Sequence, residues 1–173
     1  MLALPSPVSR DVYEQGAKIL TGGRAATSED TNGQHGTGTT DLGAGVYYLP
    51  TIIDGATRKM DCVHDEAFGP TVTIETFTTE EEAIAIANDT EYGLAGAVYT
   101  SDAGRAERVA RSLRHGTIWI NDFHPYLPQA EWGGYKQSGN GRELGPTGLA
   151  EYQEHKHVYQ NLSPAAWDQF GLQ

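Results

Sequence analysis

Among side chains able to do covalent or proton-transfer chemistry, Cys62 is the one cysteine, and His64 follows two positions later. On a strand the two would share a face, and a histidine there could activate the thiol as a nucleophile. A half-buried cysteine beside a surface histidine is the plainer reading and the one preferred here. His155 and His157 repeat the spacing, but nothing in the sequence supplies the other ligands of a four-coordinate ion, so they are read as solvent-facing and no metal site is expected. The glycine-rich run 133–145 invites a phosphate-binding reading. It departs from a P-loop because Lys136 stands between Tyr135 and Gln137. Its glycines instead permit positive φ and close backbone approach, with Arg142 and Glu143 expected as local ion-pair partners. Gly36 and Gly38 lack the third glycine of a dinucleotide fingerprint, since position 41 is Asp41.

The 173 residues carry 23 Asp and Glu against 12 Lys and Arg, a net charge of −11. Such a surface repels phosphate backbones, which excludes nucleic acid as an expected partner. No apolar run approaches the roughly 18–20 residues that span a bilayer, and the opening Met1–Pro5 has no basic region of a secretory signal. One cysteine allows no intrachain disulfide, so a reducing, cytoplasmic compartment is expected. The acidity itself has two readings. Either it keeps an ordinary soluble protein dispersed, or, with lysine scarce, it marks a halophilic surface adapted to high salt.

The elements that must position these groups follow from periodicity. Residues 1–16 are turn-rich around Pro5 and Pro7. A short strand is expected over 17–21. The stretch 25–45, poor in large apolar residues, reads as an exposed or disordered loop. Residues 46–49 are strand-like up to Pro50, with 51–53 continuing as an edge. The alternation over 71–77 predicts a strand. Thr79 and Glu82 then form a capping box for a helix whose stop is Gly93. Residues 94–99 predict a buried strand. Ser101 or Asp102 caps a second helix with Ala103, Ala106, Val109, Ala110 and Leu113 on one face and a Glu107–Arg111 pair outside. Residues 116–121 predict a further strand. The alternation over 71–121 therefore gives parallel βαβ units in an α/β fold. The long loop 122–145 reads as functional or interfacial. A short helix over 147–153 is expected to turn Leu149 and Tyr152 inward, before a terminal strand at 155–161 and a tail with Trp167 and Phe170.

Five segments, read in order, carry a resemblance: Gly45-Val-Tyr-Tyr-Leu-Pro-Thr, Asp65-Glu-Ala-Phe-Gly-Pro, Asn88-Asp-Thr-Glu-Tyr-Gly-Leu-Ala, Gly116-Thr-Ile-Trp-Ile-Asn and Gly133-Gly-Tyr-Lys-Gln-Ser-Gly-Asn-Gly-Arg-Glu-Leu-Gly. In this order and spacing, from about residue 45 to 159, they resemble the C-terminal portion of the aldehyde dehydrogenase superfamily. The loop 121–132 is similar, more narrowly, to the betaine aldehyde dehydrogenases.

The resemblance implies NAD (or NADP) as cofactor and an aldehyde as substrate. It implies that Glu66 binds the nicotinamide ribose hydroxyls, for which a carboxylate accepting from both is suited, and that Phe68 packs beside the nicotinamide ring. Trp132 matches an aromatic position at the substrate entrance of betaine aldehyde enzymes. A trimethylammonium group cannot donate hydrogen bonds and is best held on such a face; the alternative is a packed interface tryptophan. Tyr126 is a further candidate wall. The strand 155–161 resembles one that joins a neighbouring subunit's sheet, which implies oligomers. In a complete enzyme a cysteine thiolate adds to the carbonyl, hydride leaves to the nicotinamide, and water hydrolyses the thioester. The family's nucleophilic cysteine and general-base glutamate belong to sequence before these segments, and Cys62 lies outside the catalytic-cysteine motif. The expected organisation is a variable segment and loop over 1–45, a partial catalytic domain over 46–145, and a C-terminal helix, oligomerisation strand and tail over 146–173. The start also departs from the family pattern, and a truncated gene or fragment without activity of its own is expected. The alternatives are a non-catalytic assembly module pairing with full-length subunits, and a Cys62-dependent hydrolase.

Overall fold

The alternating run Thr71-Val-Thr-Ile and the β-branched Thr51-Ile-Ile are too short to bury much surface alone, and they do so by pairing. A computed structural model describes residues 12, 14–30 and 41–162. It divides into two compact units, one ending at Ala83 and the other starting at Ile84.

In the first unit, β1 (Lys18–Thr21), β2 (Thr51–Asp54) and β3 (Thr71–Ile74) form a sheet in that order. The pair β1–β2 is antiparallel with a register shift between Ile19 and Thr21, and β2–β3 is parallel from Thr51↔Thr71 to Asp54↔Ile74. Thus β2 is the central strand, not the edge continuation expected from sequence. Pro50 has no N–H to give a ladder, so pairing starts only after it, and 46–49 contributes a single bridge, Tyr48 to Ala25. Fully buried Ile53 and Val12, with Ala17 and Met60, make a small core. The buried Thr51 hydroxyl donates to the Leu49 carbonyl at 2.8 Å and accepts from the Gly23 N–H at 2.8 Å. Of the 25–45 loop, residues 31–40 lie outside the described residues, as do the N-terminal turns up to Asp11 and the tail with Trp167 and Phe170. The near end of the loop is tied by a bidentate pair, Arg24 to Asp30 at 2.7 and 2.8 Å.

The boundary between the units falls within α2 (Glu80–Asn88), after the one-turn α1 (Asp61–His64). The Thr79 hydroxyl accepts from the Glu82 N–H at 3.1 Å, as expected, but Glu82 reaches back to the N–H of Thr78, at 2.8 Å, one residue earlier than the predicted box. The helix stops at Asn88, not at Gly93. The Asn88 amide then joins two chain segments: its Nδ2 donates to the Ser112 carbonyl at 2.9 Å and its Oδ1 accepts from the Arg114 N–H at 2.7 Å. In the second unit β4 (Ala95–Val98), α3 (Ala103–Ser112) and β5 (Thr117–Ile120) make one parallel βαβ unit, Ala95↔Thr117 to Val98↔Ile120. The ladder of β3 is with β2 rather than β4. Asp102, not Ser101, caps α3, accepting from the Arg105 N–H at 2.9 Å. Ala106 is buried on its inner face, and Arg111 donates to Glu107 at 2.6 Å outside.

Two sequence expectations for the C-terminal part are corrected. The last helix, α4, runs Gly145–Ala150, and Leu149 and Tyr152 are exposed, because no described element packs over them. Residues 155–161 are exposed and form no strand among the described residues, since a ladder needs a partner edge that a single chain does not offer.

The glycine-rich segment is held onto the βαβ unit by backbone contact. The Gly93 carbonyl accepts from both Gly116 N–H at 3.0 Å and Tyr135 N–H at 2.8 Å. Lys136 Nζ donates to the Asn88 and Thr90 carbonyls, each at 2.9 Å, placing a cation at the C-terminal end of α2. A Cβ on Gly116 would collide with the Gly133 carbonyl, and one on Gly93 would meet the Arg114 carbonyl at 2.7 Å. Gly141, by contrast, has open space around it.

Gly116→Ala is therefore expected to cost on the order of 1–3 kcal/mol in denaturant unfolding and to alter the near-ultraviolet tryptophan circular dichroism, while Gly141→Ala leaves that spectrum unchanged. The Arg105 N–H at the Asp102 carboxylate lowers its pKa from the ordinary aspartate value. Because the folded pKa lies below the unfolded one, the cap stabilises above the unfolded value and is lost as pH falls through the folded one. Asp102→Ala should thus lower Tm by about 3–6 °C at neutral pH, and the gap from the unsubstituted chain should close well below about pH 4.

Candidate functional site

Glu66 and Phe68 stand on the loop between α1 and β3, in the first unit. The loop leaves α1 where the Asp65 N–H donates to the Asp61 carbonyl at 2.7 Å, and re-enters the sheet where the Thr51 N–H donates to Pro70 at 2.7 Å. Between these anchors Glu66 is exposed and its carboxylate makes no hydrogen bond among the described residues. Phe68 has φ 45° and is 91% exposed. A bulky side chain in the left-handed region is strained, and here the strain presents an aromatic face outward instead of burying it. Cys62 lies within α1 rather than on a strand, so it and His64 do not share a face and the premise of a thiol–imidazole pair fails.

In the second unit, Tyr126 and Trp132 meet at 4.6 Å between ring centroids. Trp132 also stacks on Trp119 of β5, at 5.8 Å and 29° between planes. His124 sits edge-on to Tyr126 at 5.0 Å, and Phe123 meets Trp119 at 5.7 Å. Asn121 makes this cluster possible. Its backbone adopts φ 54°, which asparagine tolerates well, and its side chain pairs with Thr100 as a peptide would. Oδ1 accepts from the Thr100 N–H at 2.8 Å and Nδ2 donates to the Thr100 carbonyl at 2.9 Å. The chain thus turns sharply out of β5 into the aromatic loop. Trp132 is fixed from the other side by a two-bond bridge to Glu143, 2.7 Å in each direction. Glu143 is therefore a backbone partner of Trp132, and the expected ion pair with Arg142 does not form. Arg142 instead donates to the Gly134 and Gly141 carbonyls at 3.0 and 2.7 Å and lies over the Tyr135 ring.

Trp119, Tyr126 and Trp132, together with Pro125, Leu127 and Glu131, line a cavity of about 210 Å³. The buried Thr117 hydroxyl also borders it and has no hydrogen-bond partner among the described residues. A hollow bordered by three aromatic side chains suits a group that is cationic but cannot donate hydrogen bonds. The sequence singles out Trp132 and Tyr126 but not Trp119 and His124, which join them in the ring cluster. The aromatic density of 119–132 was the available signal; a tryptophan in a strand reads first as core. Beside this cavity, a more open groove of about 310 Å³ runs along Gly133, Gly134, Gly139 and Arg142. Near it, half-buried His115 has its pKa lowered by burial and then by Lys136.

Comparison with known proteins adds independent weight. The aldehyde dehydrogenase family model matches residues 8–158. Betaine aldehyde dehydrogenase of Bacillus subtilis (strain 168) is 55% identical over 157 residues, covering 91% of this chain and 30% of its own. A peroxisomal aminoaldehyde dehydrogenase of Pisum sativum is 44% identical over 153 residues, covering 88% of this chain and 28% of its own. The crystal structure of Staphylococcus aureus betaine aldehyde dehydrogenase in complex with NAD+ superposes with a TM-score of 0.84 at 47% identity, over 96% of this chain and 31% of that one. The chain thus spans about 30% of the length of the curated relatives it matches. No helix among the described residues is long and apolar enough to cross a membrane. The α/β fold, the ordered motifs and the match over 8–158 agree: this chain belongs to the aldehyde dehydrogenase family.

Proposed function

We propose that the chain forms one wall of an NAD(P)-dependent aldehyde dehydrogenase that oxidises betaine aldehyde to its acid. The observation that carries this reading is the aromatic cavity of Trp119, Tyr126 and Trp132. A trimethylammonium head has a diffuse positive charge, no donor and an apolar surface, so aromatic faces attract it while water hydrates it poorly. Relatives named for betaine aldehyde and for aminoaldehydes share a cationic end on the substrate, in keeping with such a pocket.

The residues of the first unit fit a nicotinamide cofactor. The exposed Glu66 carboxylate offers acceptors for a pair of ribose hydroxyls. The Phe68 ring, displayed on strained backbone, offers a flat apolar face to a planar heterocycle. When bound, the cofactor supplies a hydride acceptor. Glu66 would hold and orient it, Phe68 would pack against it, and Trp132 and Tyr126 would hold the ammonium end of the substrate. Cys62, in a one-turn helix outside the family's cysteine motif, is assigned no catalytic role, so the chain alone is read as inactive. A second reading, an assembly module, is favoured by the exposed segment ending in Val158, Tyr159 and Leu162, which could add as a strand to another subunit's sheet.

Choline, the stable alcohol counterpart of betaine aldehyde, should quench or shift the tryptophan fluorescence of the 173-residue chain in a saturable way. Its uncharged carbon isostere dimethylbutanol should bind several-fold more weakly, and Trp132→Ala should reduce the difference, a loss of about 0.5–2 kcal/mol for one cation–π face. Equal binding of the two ligands would refute the substrate assignment. The purified chain should also show no NADH formation from betaine aldehyde and NAD+; measurable turnover would overturn its reading as inactive.

A further inference from the structure

Of the residues lining the aromatic cavity, Glu131 carries the one charged side chain among the described residues. Its carboxylate is held in place. The Thr147 hydroxyl, on α4, donates to Oε1 at 3.1 Å. Behind it stands Gly145, at φ 56°, where a Cβ would come within 2.9 Å of the Glu131 Cδ and 3.1 Å of Oε1. The lack of a side chain at 145 therefore leaves space that the carboxylate uses. The Glu131 backbone N–H, then the Thr147 hydroxyl, hold the group below the ordinary glutamate pKa, so it is an anion at neutral pH. Aromatic faces and a fixed anion border one hollow. The faces take an apolar head of suitable size and favour a cationic one through cation–π attraction, whereas the carboxylate acts on charge alone.

We propose that Glu131 is a specificity-determining residue of this pocket, selecting aldehydes with a cationic end over neutral ones of the same shape. The inference rests on the reading of the cavity as the site for the substrate's ammonium end. Selection arises from electrostatic attraction at the pocket rim, where Glu131 is exposed and the interaction is screened by salt. No direct hydrogen bond to the ligand is needed, so the effect extends to quaternary ammonium groups. Thr147 and Gly145 are positioning residues that keep the anion at the rim.

The test uses the full chain with choline and dimethylbutanol as probes, read by tryptophan fluorescence. Glu131→Gln keeps the shape and removes the charge. Choline should weaken by about two- to fivefold, as expected for an exposed charge pair, dimethylbutanol should be unaffected, and the choline effect should fade at high salt. Thr147→Val should give a smaller loss for choline alone. Near-ultraviolet circular dichroism checks that the aromatic cluster persists in each variant. Choline binding that Glu131→Gln leaves unchanged, or an equal loss for both probes, would overturn this inference while leaving the pocket assignment intact. Failure of the unsubstituted chain to bind choline would overturn the pocket assignment and this inference with it.

Discussion

The second unit depends on one constraint: backbone must touch backbone where Gly93, Gly116 and Gly133 converge. The Gly93 carbonyl serves two N–H donors, and the space between Gly116 and Gly133 admits no side-chain carbon. Lys136 locks this approach by placing its ammonium on the last carbonyl of α2, Asn88, and on that of Thr90 just beyond it. Such a cation is well placed, because the unpaired carbonyls of a helix end carry partial negative charge. With the segment fixed, Trp132 is carried to within stacking distance of Trp119, and the Glu143 bridge sets its direction. The aromatic cavity is a consequence of glycine packing several residues away.

The first unit uses a different device for a related end. Its small core around Ile53 and Val12 holds a three-stranded sheet. The loop that departs from it keeps Glu66 and Phe68 at the surface instead of recruiting them to that core. Phe68 pays for its exposure with a left-handed backbone, and a bulky exposed ring on strained backbone is a feature of sites rather than of cores. Elsewhere Leu149, Tyr152, Val158 and Tyr159 are large apolar side chains left exposed.

Much of this was legible in the sequence where a residue's local chemistry settles its structure. The βαβ unit over 95–120 followed from periodicity and from the Asp102 cap, and the family followed from ordered motifs. Failures came where the outcome depends on distant partners. Leu149 and Tyr152 have helical spacing, but spacing cannot say whether anything packs against them. Residues 155–161 have strand character, but a strand exists only with a neighbour. Gly93 looks like a helix stop because glycine often is one; its use lies in close approach to Arg114 and Tyr135, 21 and 42 residues further on. Arg142 beside Glu143 looked like an ion pair, yet adjacent side chains diverge, and carbonyls offered by Gly134 and Gly141 were nearer. The place of Trp119 in a strand gives no sign in the sequence that it lines the cavity.

On the proposed reading, aromatic faces in the second unit receive a quaternary ammonium group. The decisive measurement is a crystal structure of this chain grown with saturating choline. The predicted result is the trimethylammonium head seated against the faces of Trp132, Tyr126 and Trp119, with the Glu131 carboxylate on the same hollow. A cavity left to solvent, or choline bound at another surface, would contradict it.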